Sequence, residues 1–167
     1  YSSSGIYVLS CLFNGIKSGS HGGALYCTSS VTYLLIESST FVTCRTRAQH
    51  GGAIFLGSSN SGEIVLHEVC GYNCYSTYTS SPHDQFAYIC VNNTVSKKNY
   101  VNYSSITRCV NENSNSHYIL SLYYDKIRCP SINISMNRCQ YYSGFYFYPY
   151  SIQVPSHVQC RTPHFQI

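Results

Sequence analysis

The block His-Gly-Gly-Ala occurs twice, at 21–24 and 50–53, and each copy runs into a large apolar residue, Leu25 or Ile54. One Gly-Gly pair is a turn signal and nothing more. Two pairs in the same setting, Gly22-Gly23 and Gly51-Gly52, make a repeat. A repeat of about thirty residues confines a chain to architectures in which each unit stacks on the next. The matched segments are SCLFNGIKSGSHGGALY at 10–26 and STFVTCRTRAQHGGAIF at 39–55.

Weaker copies continue downstream. Ser-Ser-Thr-Phe-Val-Thr-Cys at 38–44 is echoed by Ser-Ser-Ile-Thr-Arg-Cys at 104–109 and by Ile-Ser-Met-Asn-Arg-Cys at 134–139. With Cys44 as marker, the equivalent positions are Gly15, Cys44, Cys74, Cys109 and Cys139, evenly spaced except for a longer step into Cys109. Three residues earlier stand Leu12, Phe41, Gly71, Ile106 and Met136. Four earlier are Cys11, Thr40, Cys70, Ser105 and Ser135, and eight earlier Tyr7, Ile36, Leu66, Val101 and Ser131. On the Gly-Gly side Cys27 aligns with Leu56 and, past an insertion, with Cys90.

Column chemistry of this kind follows if each repeat is one solenoid coil, because equivalent residues then stack at the ~4.8 Å spacing of neighbouring strands. Leu34-Leu35-Ile36, Ile64-Val65-Leu66 and Ala53-Ile54-Phe55-Leu56 are strand-like runs between Ser, Gly and Asn turns. No stretch keeps a helical period. The expected fold is an all-β, right-handed parallel β-helix, a single domain over 1–167 with its best repeats at 5–75 and degenerate coils at 76–167.

Gly22-Gly23-Ala24-Leu25 and Gly51-Gly52-Ala53-Ile54 resemble the Gly-Gly-Ala-Ile/Leu/Val half of the polymorphic outer-membrane-protein repeat of chlamydial surface adhesins. Similar repeats occur in surface proteins of parasitic protists. The other half of that repeat, Phe-x-x-Asn, is matched in position by Phe41-Val42-Thr43-Cys44, with Cys in place of Asn as in the protist variants. The resemblance covers roughly residues 5–57. In the later coils Gln85-Phe86-Ala87-Tyr88, His117-Tyr118-Ile119 and Ser143-Gly144-Phe145 stand at the Gly-Gly site, so those turns are expected to be built differently. The resemblance implies an extended surface module used in adhesion or envelope display.

Composition narrows the role. Charged residues make up 10% of the chain, against about a quarter in ordinary domains, and Ser, Asn, Thr and Tyr supply the polarity. The net charge of +4 is spread along the sequence, with Lys97-Lys98 the one adjacent pair and Arg45 and Arg47 bracketing a Thr. No basic stripe suited to nucleic acid is visible, and no nucleic-acid partner is expected. Ten Cys and three sequons, at Asn92, Asn102 and Asn133, point to an extracellular or cell-surface location with glycosylation. The chain begins at Tyr1 without a leader and has no apolar run of membrane length, so a longer protein is expected to carry the export signal and anchor.

No catalytic residue, cofactor or metal is expected. Polysaccharide-cleaving β-helix enzymes use clustered carboxylates, whereas this chain has Asp84, Asp125 and Glu37, Glu63, Glu68 and Glu112, with no adjacent acidic pair. A pectate-lyase-like enzyme and a degenerate fragment without activity of its own are the alternatives. His67, Cys70 and Cys74 offer zinc-type ligands at a spacing that fits no standard module. Cys44, Cys74, Cys109 and Cys139 read as a ladder, either bridged or a buried column of thiols, and Cys129 with Cys160 as a pair that staples a loop. His21 and His50 read as polar residues closing a turn. The candidate ligand-binding residues are Tyr141, Tyr142, Phe145, Tyr146, Phe147, Tyr148 and Tyr150, suited to sugar rings or a host-cell surface or, alternatively, to covering the solenoid end.

Overall fold

Every second residue is buried from Leu34 to Ile36 and from Ile64 to Leu66, so the apolar runs within Val31–Glu37 and Glu63–His67 are strands with one buried face. The computed structural model describes residues 4–48, 50–59, 62–78, 84–91, 99–109, 118–123, 127–137 and 145–148. The first coil holds β1 (Ser4–Leu9), β2 (Leu12–Asn14), β3 (Lys17–Ser18) and β4 (Leu25–Cys27). The second holds β5 (Val31–Glu37), β6 (Thr40–Val42), β7 (Arg45–Thr46) and β8 (Ile54–Ser59). The third holds β9 (Glu63–His67), β10 (Cys70–Tyr72), β11 (Tyr75–Ser76) and β12 (Asp84–Val91). Then come β13 (Asn99–Asn102), β14 (Ser105–Thr107) and β15 (Tyr118–Tyr123), followed by β16 (Ile127–Arg128), β17 (Asn133–Ser135) and β18 (Phe145–Tyr148).

Corresponding strands pair in parallel. The first sheet is β1-β5-β9-β13-β16, the second β2-β6-β10-β14-β17, the third β3-β7-β11 and the fourth β4-β8-β12-β15-β18. Three successive coils cross all four sheets. The expected parallel β-helix is therefore the fold of this chain, with no helix among the described residues. In the second sheet Leu12 pairs with Thr40, Thr40 with Cys70, Cys70 with Ser105 and Ser105 with Asn133, so the one long step falls between the third and fourth coils.

This register corrects the columns read from sequence at both ends. Phe13, not Leu12, lies under Phe41, and their rings stack at 4.7 Å with 5° between planes, while Leu12 is 67% exposed. Ile16, not Gly15, precedes Cys44, because Lys17 pairs with Arg45. Val8 replaces Tyr7 below Ile36, and Ile89 replaces Cys90 beside Leu56. At the far end Ile134 follows Ile106, so Asn137 takes the place assigned to Cys139, which lies outside the described residues. The Gly-Gly turn is indeed rebuilt in the third coil: pairing of β12 is irregular between Asp84 and Ala87, yet the parallel ladder continues to β18.

Two corners explain the offsets. Ser10, Ser38, Glu68, Tyr103 and Ser131 all adopt φ between 46° and 54°, and Gly15, Thr43, Asn73, Arg108 and Met136 φ between 52° and 69°. These left-handed residues bound the second sheet on both sides, one per corner in every coil. Only one of the ten is Gly, although the conformation disfavours other L residues.

The core is a stack of columns. Val8, Ile36, Leu66, Val101 and Cys129 form one, and Ile54, Ala87 and Leu120, with half-buried Leu25 at the end, another. Neighbouring coils bury these side chains against each other, which is the main stabilising term in a solenoid. The Gly-Gly pairs set how closely the fourth sheet's approach passes the third sheet. A Cβ on Gly23 would lie 2.8 Å from the Arg45 amide nitrogen, and one on Gly52 2.5 Å from that of Tyr75. Their neighbours Gly22 and Gly51 share φ +66°.

Candidate functional site

In the fourth sheet Cys27, Ile54, Leu56, Ala87 and Ile89 are buried and Leu25 is half-buried, and the residues between them, Tyr26, Phe55 and Tyr88, turn outward. The register places these three rings one above another. Tyr26 and Phe55 stack at 5.3 Å with 15° between planes, and Phe55 and Tyr88 at 5.2 Å with 11°. In the fourth coil the aligned residue is Ser121, which is buried, and the ring comes from Tyr123, two residues on along the same face. Tyr123 lies 4.9 Å from Tyr88 at 37° and 5.4 Å from Tyr146 at 58°. Tyr118 stacks on Tyr146 at 4.2 Å. An aromatic ladder therefore runs the length of the fourth sheet, closely parallel at one end and opened by tilting at the other.

A second file flanks it. His21 stacks on Phe55 at 4.7 Å, His50 packs on Tyr88 at 4.5 Å, and the two imidazoles lie 5.4 Å apart. The amide N–H of His50 donates to His21 Nδ1 at 3.3 Å. Burial, and then the neighbouring His50, hold the His21 pKa below its ordinary value, so His21 is neutral at neutral pH. The histidines do more than close a turn: each extends the aromatic surface of the coil above.

The aromatic tract proposed from sequence is divided by this geometry. Tyr146 joins the ladder, and β18 pairs with β15 so that Phe145 aligns with Leu120, Phe147 with Leu122 and Tyr148 with Tyr123. Tyr141, Tyr142 and Tyr150 lie outside the described residues. Sequence reasoning missed Tyr26, Phe55, Tyr88, Tyr118, Tyr123 and both histidines as a surface. Their signal is one aromatic per coil at the repeat spacing, which shows only once the register is fixed.

The cysteine column is a hydrogen-bonding device. The Cys74 thiol donates to the carbonyls of Phe41 and Tyr72, both at 3.4 Å, and the Cys74 amide N–H reaches Cys109 Sγ at 3.4 Å. Asn137 repeats the pattern with an amide: Cys109 N–H donates to its Oδ1 at 2.7 Å, and its Nδ2 donates to the Ile106 carbonyl at 2.8 Å. Cys44, Cys74 and Cys109 are buried free thiols. Hydrogen bonding to Cys74 and burial raise the Cys44 pKa, and hydrogen bonding to Cys109 raises that of Cys74. Cys129 is likewise a free buried thiol, pushed up to about 12 by burial, and its place in the aliphatic column removes it from any loop staple. Cys160 lies outside the described residues. Cys11 and Cys70 are exposed.

The zinc-type residues do not converge. His67 Nδ1 pairs with Asn102 Oδ1 at 3.1 Å, Cys74 points into the core, and no group of three His, Cys, Asp or Glu among the described residues could hold a metal ion. Of the sequons, Asn133 is exposed, Asn102 is half-buried against His67, and Asn92 lies outside the described residues. No family model, no curated protein and no solved structure matches this chain.

Proposed function

We propose that this chain is a non-catalytic adhesive module of a secreted or cell-surface protein, and that it binds an extended polysaccharide along the aromatic ladder of its fourth sheet. The ladder of Tyr26, Phe55, Tyr88, Tyr123 and Tyr146 is the single observation that carries the reading. A stripe of tyrosines is amphipathic, with apolar ring surface beside phenolic hydroxyls. A sugar polymer has the complementary make-up, C–H faces alternating with hydroxyls, and its extended form matches a straight stripe one ring per strand. The tilt between Tyr88, Tyr123 and Tyr146 opens ring faces to a ligand, whereas the tighter stack from Tyr26 to Tyr88 offers ring edges.

The surface location is supported by the low charge of the sequence, by its sequons and by the resemblance of the Gly-Gly-Ala coils to surface-adhesin repeats. Burial of Cys27, Cys44, Cys74, Cys90, Cys109 and Cys129 lets thiols persist outside the cell, because shielded thiols react slowly. Binding to a panel of neutral oligosaccharides, measured with the intact chain and with Tyr26→Ser, tests the proposal. Tyr26 is 52% exposed, so its loss spares the core. Weaker binding by the variant is expected; unchanged binding, or none by the intact chain, would remove the ladder from the function.

A further inference from the structure

Stacking brings together cations that the sequence keeps apart. Lys17 pairs with Arg45 across β3 and β7, and Arg47 follows one outward position later. These three residues, with Ser18 and Thr77, line a cleft of about 340 Å³ on the third sheet. Among the described residues no carboxylate forms an ion pair with any of the three. Like charges stacked directly across a strand pair disfavour the fold, so this arrangement is one that a bound anion would relieve.

Arg45 is held for such a role. Its guanidinium carbon lies 4.9 Å from the centre of the Tyr75 ring in the next coil, and its main chain passes close to Gly23, where a Cβ would lie 2.8 Å from its amide nitrogen. Its Nε is buried and has no hydrogen-bond partner. A buried donor left unused is rare in folded proteins. Guanidinium and ammonium groups beside hydroxyls are the usual reading set for a tetrahedral oxyanion.

We propose that this cleft is an oxyanion site that takes the sulfate esters of an acidic polysaccharide. The proposal deepens the polysaccharide reading above and rests on it for the polymer, since the cleft itself recognises only the charged group. Three cations in one cleft suit a single ester group. A nucleic acid would call for a basic stripe continuing from coil to coil.

The test is retention and affinity of the whole chain on heparin, compared with fully desulfated heparin and with duplex DNA. Arg45→Gln/Arg47→Gln should weaken heparin binding by about ten-fold or more, and Arg108→Gln/Arg128→Gln, which removes the same charge at exposed positions outside the cleft, should leave it unchanged. Lys17→Gln and Arg47→Gln alone, at exposed positions, should each weaken it without endangering the fold. Equal losses in the two double variants, or no binding to heparin, would overturn the site. DNA binding that matches heparin binding and falls with the same variants would overturn the polysaccharide assignment. Sulfate-dependent binding that survives Tyr26→Ser but not Arg45→Gln/Arg47→Gln keeps the oxyanion site while the ladder reading fails. Binding to desulfated heparin that falls only with Tyr26→Ser does the reverse.

Discussion

Gly71 of the second sheet and Phe86 of the fourth share one volume of core: a Cβ on Gly71 would lie 2.3 Å from Phe86 Cε2. Neighbouring coils fill the Gly71 position with Phe41 and Ile106, and Phe86 enters the same level from across the solenoid, 6.1 Å from the Phe41 ring and edge-on to it. The third coil thus lacks the Gly-Gly turn and the large residue of the second sheet together, and one replaces the other. Gly71→Ala should cost about 1–3 kcal/mol through overpacking, and Phe86→Ala about 3–5 kcal/mol through the cavity it leaves. In urea unfolding, Gly71→Leu/Phe86→Ala should recover at least about 1 kcal/mol relative to Phe86→Ala. Strict additivity would show that the two positions do not share space.

The equivalence of Cys109 and Asn137 predicts a chemical exchange. Asn137 serves two backbone groups of the preceding coil, at 2.7 and 2.8 Å, where the thiol of Cys74 reaches its carbonyls, and the Cys74 N–H reaches Cys109 Sγ, at 3.4 Å. Cys109→Asn should therefore keep or raise stability, by up to about 1 kcal/mol. Cys109→Ala should lower it by about 1–3 kcal/mol, because the Cys74 N–H loses its acceptor in a buried site. Thermal unfolding of the two variants separates a hydrogen-bonding ladder from a column that merely fills space, in which Ala would be the milder change.

Thr43 is a β-branched residue at φ 53°, in a corner that Gly15 and Asn73 occupy in the adjacent coils. Thr43→Asn should stabilise the chain by about 0.5–1 kcal/mol, since Asn tolerates the left-handed region. Thr43→Val keeps the branching and should bring no gain. A higher melting temperature for Val than for Asn would contradict this account of the corner.

Stability should fall on both sides of neutral pH. Cys129, raised from 9.0 to about 12 by burial, contributes stability that is present below pH 9 and lost as pH climbs toward 12. Cys27, Cys44 and Cys74 are raised too and act in the same direction. On the acid side His21, held below 6.5, contributes stability present above that value and lost as pH falls through its lower folded pKa. Denaturation followed from pH 5 to pH 12 should show both losses. Cys129→Val should soften the alkaline one and His21→Gln the acid one; identical profiles would leave these groups without influence.

Much of the architecture was legible because a solenoid writes its pitch into the sequence. The Gly-Gly pairs mark it well, since both close approach and a positive φ demand Gly there. The end coils were misread by one or two positions for a physical reason. Gly15 resembles the marker in being small, but it serves the left-handed corner one position before. Cys139 resembles it in identity, yet the bonding role belongs to Asn137. The surface sites were hidden more deeply. The dense aromatics at 141–150 draw attention in one dimension, whereas the ladder takes one or two rings from each coil, and the basic cleft joins Lys17 to Arg45 a full coil away.

An oligosaccharide titration followed by NMR of the aromatic rings reports on the ladder most directly. Shared perturbation of Tyr26, Phe55 and Tyr88, with the buried rings of Phe41 and Phe86 unmoved, is the predicted result. Perturbation that misses these three rings, or reaches the core and the ladder alike, would contradict a binding face built by coil-on-coil stacking.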